Sequence, residues 1–497
     1  MAIVWSKQQA DFIEWAETGK GSCVLEAVAG AGKTTTLIEA SRRLTGTTAI
    51  LAYNKKIADE LQEKIKGMND VKAGTVHSFG NAAIRKTFGH VKVDGYKVAN
   101  ITQEIVTDEA FIKWHPTIVK LVSFAKQRAL GVLAKIDDDH QWFDIADHFD
   151  VFSNGPDRSD NEKVPEFDLI QYAKKVLKVS NETTKVIDFD DMVYLPVLLG
   201  LNMWRYDNVM VDEAQDTNPA RRALVRALVK KGGRVIAVGD RHQAIYGFTG
   251  ADSNSLELIA KDFNCIELPL TITYRCPKTV VSFAKQWVSH IESAETSPDG
   301  SVSQITMGEF LSRKDLDGKA AVLCRLTAPL VKLAFSLIRN RIACKFEGRD
   351  IGQNLIKLAK RWKVKTTDKL LDKLADYLER EKTKYLAKKL ETKAQQVEDQ
   401  VETLKVIIEF CNNDGKHSLN DLVSLIETMF SDDVRGILTL STIHKSKGRE
   451  WNNVFWLDRA NTCPSKYARQ VWQIEQEHNL CYVAATRAKQ NLFDLLA

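Results

Sequence analysis

The feature that most restricts this chain is the run Ala27-Val-Ala-Gly-Ala-Gly-Lys-Thr34. An apolar stretch at residues 22–28 leads into it, and a helical pattern starts at about Lys33. A strand, a glycine-rich turn and a helix in that order make a phosphate cradle. The N–H groups of the turn and of the helix N-terminus point at an anion. Lys33 would neutralise the β- and γ-phosphates, and the Thr34 hydroxyl would sit on Mg²⁺. The loop opens with Ala27 where the general pattern has Gly. Kinases, GTPases and motors all use such a turn, so it does not choose among them.

A chain of 497 residues exceeds what one hydrophobic core supports. Short apolar runs alternate with helical patterns, which predicts parallel α/β layers. Such runs recur at 48–53, 208–211 and 234–238, then at 321–324, 437–440 and 453–457. Two helical stretches interrupt them. The first covers about 85–185 and contains a turn-rich acidic loop at 153–165. The second, about 349–433, has no Gly or Pro from Gln353 to Asp414. Its Val397, Val401, Leu404 and Ile408 are spaced 4, 3, 4, which suits a packed helical hairpin or a short coiled coil. The expected fold class is α/β: two parallel-sheet domains, each with a helical insertion. The expected bounds are 1–84 with 186–270 for the first domain and 85–185 for its insertion. The second domain takes 271–348 with 434–497, around a reduced insertion at 349–433.

Lys plus Arg is 70 against 65 Asp plus Glu, too even a balance to identify a partner. Its distribution is uneven. Residues 357–393 hold 13 basic against 6 acidic side chains, and residues 136–168 hold 11 acidic against 2 basic. The first patch would attract phosphate and the second repel it, or both are solvated helical faces. None of the eight cysteines forms a CxxC pair, which argues against a zinc or iron–sulfur site. Scattered cysteines fit a reducing compartment. The start, MAIVWSKQQADFIEW, is not a secretory signal, and no run approaches a membrane span.

A second chemical element is Val209-Met-Val-Asp-Glu-Ala-Gln-Asp216, where an apolar strand delivers two acids at its end. Asp212 would hold Mg²⁺ through water. Glu213 would orient and deprotonate an attacking water, since phosphoryl transfer depends mainly on positioning and charge stabilisation.

Further runs follow in a fixed order: Val238-Gly-Asp-Arg-His-Gln-Ala-Ile-Tyr-Gly-Phe-Thr-Gly-Ala251, Thr273-Tyr-Arg-Cys276, Leu438-Thr-Leu-Ser-Thr-Ile-His-Lys-Ser-Lys-Gly-Arg-Glu450 and Tyr482-Val-Ala-Ala-Thr-Arg-Ala488. With the two above, they resemble the motifs of UvrD/Rep-type superfamily 1 DNA helicases, over nearly the whole chain and in a compact form. Leu51-Ala-Tyr-Asn-Lys55 and Thr75-Val-His-Ser-Phe79 lean toward the F-box helicase branch. The resemblance implies two RecA-like motor domains with ATP and Mg²⁺ held between them. Ala29, Gly30, Ala31, Gly32, Lys33, Thr34 and Thr35 would cradle the phosphates, with Thr34 and Asp212 on the metal. Gln9 would read the adenine edge, Tyr274 would stack on the ring and Glu450 would touch the ribose. Gln243 would sense the γ-phosphate or the attacking water. Arg275 and Arg487 would be arginine fingers. The helix after the loop reads Lys33-Thr-Thr-Thr36 where many relatives carry an Arg near its base, and Thr249 stands where relatives usually have Arg, which puts secondary nucleotide contacts and inter-motif coupling in question.

Single strands are gripped by stacking and by phosphate contacts. Matching positions place Tyr53, Asn54, His77, Phe79, Tyr246, Phe248, Thr442 and His444 on the strand. The function implied is ATP-dependent translocation on single-stranded DNA, 3′-to-5′, with strand separation at a duplex junction and roles in DNA repair and replication. A translocase that strips bound proteins without unwinding needs the same residues. A nucleic-acid-binding regulator with a decayed ATPase fits less well, because every core catalytic group is present. Nothing reads a 2′-hydroxyl, so RNA stays open. A monomer in the cytoplasm, or in a nucleus if the source has one, is expected, with no membrane role and no secretion. With ten residues after Arg487, a fused nuclease is not expected.

Overall fold

The computed structural model describes residues 4–149, 151–152, 164–245, 254–387, 390–430, 437–469 and 471–496. Most of the acidic loop expected at 153–165 therefore lies outside the described residues. By backbone proximity the chain divides into two units. One is Met1–Ala27 with Gly32–Leu270, and the other is Val28–Ala31 with Thr271–Ala497.

The first unit is built on a parallel sheet of β1 (Cys23–Ala27), β2 (Thr48–Ala52), β3 (Val71–Thr75), β4 (Tyr206–Val211), β5 (Val229–Gly239) and β6 (Ile266–Leu270). Their spatial order is β3-β2-β4-β5-β1-β6, and every pairing is parallel. Central strands covered on both faces need apolar side chains throughout, as TAILA of β2 shows. The apolar run at 234–238 proves to be the buried end of the longer β5. Its first half is exposed, so hydrophobicity marked only the inner part.

The helical insertion of this unit packs into a second core, gathered around Trp114, Trp142, Leu121 and Leu169, which also takes in Met192, Tyr194 and Leu195 from beyond residue 185. Beside it lies a buried ionic cluster. Lys126 bridges Asp188 at 2.6 Å and Asp191 at 2.7 Å, and Lys97 meets Asp191 at 2.7 Å. Charges that far from water persist only when paired.

The second unit repeats the plan with β7 (Ser301–Ile305), β8 (Ala320–Cys324), β9 (Cys344–Glu347), β10 (Leu438–Thr442), β11 (Trp451–Leu457) and β12 (Ala488–Leu495). The order is β7-β12-β11-β8-β10-β9, again all parallel. Its insertion contains the helices Arg349–Lys360, Thr367–Ala387, Glu391–Asn413 and Leu419–Met429. The 4, 3, 4 residues are the buried stripe of Glu391–Asn413. They resolve the open choice as a packed hairpin, and this insertion shares one core with the sheet. Phe335 of helix Thr327–Arg339 stacks on Phe410 at 4.0 Å, and Phe346 of β9 packs on Phe430 at 4.6 Å. Asp399 adds a polar joint. Its carboxylate accepts the N–H groups of Thr327 and Ala328, at 2.9–3.0 Å, and so caps that helix from the insertion.

Candidate active site

Between β1 and the helix Lys33–Arg43 the backbone takes two left-handed steps, at Gly30 (φ 76°) and Gly32 (φ 77°). Glycine makes both without strain. No side chain caps the helix that follows, so its first-turn N–H groups suit an anion. Gln9 packs behind the loop. Its Nε2 donates to Thr36 Oγ1 at 3.1 Å, and its Oε1 accepts the Ser6 N–H in a capping box. A Cβ on Gly32 would stand 3.1 Å from that Nε2.

Across from the loop, β4 ends in Asp212 and Glu213. Lys33 Nζ lies 3.8 Å from Glu213 Oε2. Glu213 itself is left-handed, at φ 51° and ψ 43°. That conformation is costly for a side chain with a Cβ, and such costs concentrate at working sites. Asp212 is buried, and burial first, then the Glu213 charge, push its carboxyl well above the usual range, against the pull of Lys33. Two acids facing one lysine leave a deficit of positive charge that a divalent cation makes good. Thr34 and Asp212 therefore fit Mg²⁺, and Lys33 with the loop fits a triphosphate. Thr35 is exposed at the helix start.

Behind Glu213 runs a hydrogen-bond chain that sequence reasoning missed, although its residues lie inside quoted motifs. Gln215 Nε2 donates to Glu213 Oε2 at 2.5 Å. Gln215 Oε1 accepts the Asp240 N–H at 3.1 Å, and Asp240 Oδ2 accepts from Gln243 Nε2 at 2.7 Å. Arg241, also unassigned from sequence, grips Glu26 of β1 with Nε at 2.5 Å and Nη2 at 2.7 Å. That ties the Asp240–Gln243 turn to the strand feeding the phosphate loop.

The loop residues Val28–Ala31 group with the second unit. Within it the Ala29 N–H donates to Tyr482 Oη at 2.8 Å, and the Gly30 carbonyl accepts the Tyr274 N–H at 2.9 Å. Ala31 N–H turns back to the Val28 carbonyl at 3.2 Å. Tyr274 is 46% exposed, which leaves its ring open to a stacking partner. Arg275 Nε donates to Glu450 Oε2 at 2.6 Å. Arg487 is only 1% exposed, and its guanidinium donates to the carbonyls of Val483 and Arg449 at 3.0 and 3.2 Å. Both arginines are held in fixed orientations.

The residues expected on the strand divide. Arg221 covers the Tyr53 ring, 5.0 Å from its centroid. Asn54 Oδ1 accepts the Ile57 N–H at 2.9 Å and caps the helix Lys55–Lys64. Burial, then Arg221, hold the His77 imidazole down at about 4. Loss of hydration, with Arg325 and Lys445 nearby, likewise holds His444 well below its usual range, although the residue keeps some solvent contact. Thr442 ends β10, buried, with its hydroxyl accepting the Lys445 N–H at 3.4 Å. Phe79 corrects the expectation. It is 6% exposed and packs edge-on against Tyr206 at 5.8 Å, because the helix Val76–Phe88 turns it into the core of the first sheet. Tyr246, Phe248 and Thr249 lie outside the described residues.

Comparison with known proteins gives matches of the same kind. The family profile described as the UvrD/REP helicase N-terminal domain matches residues 5–264, and that of the UvrD-like helicase C-terminal domain matches residues 349–495. A probable DNA helicase II homolog of Mycoplasma genitalium is 26% identical over 307 residues, 56% of this chain and 42% of that protein. The ATP-dependent DNA helicase PcrA of Bacillus subtilis is 23% identical over 299 residues, 56% of this chain and 39% of that protein. PcrA of Staphylococcus aureus reaches 31% over 134 residues, 25% of this chain and 18% of that protein. The matched stretches thus cover less than half the length of these relatives.

Proposed function

The chain belongs to the UvrD/REP helicase family, and on that premise we propose that it is an ATP-driven DNA helicase moving 3′-to-5′ along single-stranded DNA. The arrangement of Lys33, Asp212 and Glu213 carries the reading: a lysine on a phosphate loop facing an acid pair at a strand end, of which Asp212 is buried and Glu213 partly open to solvent. ATP with Mg²⁺ supplies the phosphoryl group and part of its charge compensation. Lys33 and the loop N–H groups neutralise the phosphates. Thr34 and Asp212 hold the metal. Glu213 aligns the attacking water and takes its proton. Gln243 orients the same water, and Arg275 and Arg487 offset the charge that builds on the transferred group. Tyr274 stacks on the base. Gln9 and Glu450 complete the nucleoside contacts.

Tyr53, Asn54, His77, Thr442 and His444 are proposed to line the strand, with Tyr246 and Phe248. The basic insertion at 349–433 is proposed to meet the duplex. Two holds on the strand that tighten alternately with nucleotide state turn hydrolysis into steps. Among the described residues no helix is long and apolar enough to cross a membrane.

The test is ATP hydrolysis with and without single-stranded DNA, wild type beside Glu213→Gln, with single-stranded RNA as a control. Strong stimulation by DNA, lost in the variant, supports the motor. Strand displacement from 3′-tailed but not 5′-tailed duplexes supports the polarity. Translocation without displacement on either substrate supports a strand-clearing translocase instead. Hydrolysis indifferent to both nucleic acids overturns the reading.

A further inference from the structure

Gln215 is 1% exposed, and both ends of its amide are committed. A carboxylate oxygen of Glu213 requires the NH₂ end, and the Asp240 N–H requires the carbonyl end, so the partners fix which way the amide faces. The room for this amide is made by a glycine. A Cβ on Gly239 would fall 2.5 Å from Gln215 Oε1, so any larger residue there displaces it. The next turn is fixed as well. Ser255 Oγ donates to the Thr217 carbonyl at 2.5 Å, which ties the Gln215 turn to the helix Ser255–Phe263. On the other side of Asp240, its carboxylate accepts from Gln243 Nε2 and from the His242 N–H at 3.0 Å.

We propose that Gln215 is the positioning residue that joins the water-activating carboxylate of Glu213 to the Asp240–Gln243 turn, so that a shift in that turn on strand binding is delivered to the carboxylate as a change of aim. This deepens the hydrolytic reading above and rests on it. The turn leads directly into Tyr246 and Phe248, two of the positions proposed to hold the strand. A displacement of its backbone carries the Asp240 N–H with it. Gln215 is a rigid planar amide held at both ends, so it follows. Its NH₂ then drags or releases Glu213 Oε2, the oxygen that also faces Lys33 at 3.8 Å. Carboxylate orientation governs whether the water is in line, and small misplacements at such a site are expensive in rate. Coupling of this kind needs a continuous physical chain between two arrangements. The bonds Gln243–Asp240–Gln215–Glu213 supply the chain.

The experiment measures steady-state hydrolysis by wild type, Gln215→Ala, Gln215→Glu, Gln243→Ala and the double Gln215→Ala/Gln243→Ala, each with and without single-stranded DNA. Strand affinity is followed by fluorescence anisotropy. In Gln215→Ala the ratio of DNA-stimulated to unstimulated kcat is expected to fall roughly 10-fold, with KM for ATP and strand affinity held within about twofold. Gln215→Glu keeps the size of the side chain, so it guards against a folding defect. It places a second carboxylate on Glu213 and is expected to lose stimulation more completely. Gly239→Ala displaces the amide without removing it and is expected to act in the same direction. The double variant is expected to be no worse than the poorer single one, because the two residues lie on one chain. Wild-type stimulation in Gln215→Ala and Gln215→Glu, or losses that multiply in the double variant, would overturn the relay while leaving the motor intact. A wild-type enzyme that DNA does not stimulate overturns the hydrolytic reading, and the relay with it.

Discussion

Arg275 and Glu450, 175 positions apart in sequence, meet at 2.6 Å. The guanidinium is thereby oriented by a carboxylate that also faces Lys489 at 3.4 Å. Burial works to raise the Glu450 pKa, but Arg275 and Lys489 together hold it below the ordinary value, so the pair is ionised at neutral pH. Sequence motifs assigned the two residues separate tasks, one on phosphate and one on ribose. The contact makes Glu450 a brace for the arginine as well.

Removing the brace is expected to cost less than removing the cation. Arg275→Ala should lower DNA-stimulated kcat by about 10³-fold, the scale of an arginine finger. Glu450→Gln keeps an acceptor but loses the charge, and should lower kcat by roughly 3- to 10-fold. Steady-state hydrolysis at saturating DNA decides it, and equal losses in the two variants would contradict the brace.

Acid should weaken the first unit through His77. Its imidazole titrates at about 4 in the folded chain against 6.5 when free. A depressed folded pKa means that the unfolded chain takes up the proton first. The stability is therefore whole above 6.5 and drains away as pH falls from 6.5 toward 4. Urea midpoints measured across that window should fall steeply in wild type and less steeply in His77→Asn.

The cap supplied by Asp399 should matter to stability rather than to chemistry. Asp399→Ala strips the acceptors from Thr327 and Ala328 and should cost about 1–2 kcal/mol. Burial, the largest influence on Asp399, raises its carboxyl pKa, so a neutral acceptor is well tolerated there. Asp399→Asn should lose less than half as much. Urea unfolding at pH 7 compares them.

Lys126 is enclosed between Asp188 and Asp191. Lys126→Met leaves two carboxylates buried with one lysine fewer and should destabilise by about 3–5 kcal/mol. A double replacement, Lys126→Met with Asp188→Leu, should recover part of that loss. If the single variant unfolds at the wild-type midpoint, the cluster is not holding the insertion together.

The layering of the fold was legible because its signals are local. Apolar runs such as TAILA and a glycine turn with two left-handed steps announce buried parallel strands and a phosphate loop from neighbouring residues alone. The acids at the end of β4 were readable for the same reason. Gln215 was not, since an amide in a motif gives no sign that its two ends meet a carboxylate two residues away and a backbone N–H 25 residues on. Arg241 with Glu26, and Arg275 with Glu450, were unreadable on the same ground: pairing across 215 or 175 positions leaves no periodicity. Phe79 failed differently. Its motif position suggested a surface, and only the rotation of the helix Val76–Phe88 against the sheet decided that it faces inward.

The two insertions have unequal independence. The first gathers most of its interior in a cluster apart from the sheet core, and only Ala129 and Val132 reach into the latter. The second owes its interior to the sheet beside it, through Phe335 on Phe410, Phe346 on Phe430 and the Asp399 cap. Excising residues 349–433 would therefore not detach a spare part. It would open a wound across the helix Thr327–Arg339 and β9, and what remained would be a damaged sheet instead of a smaller motor. The arm and its sheet should melt in one cooperative transition, and should be inherited, lost or transplanted only together.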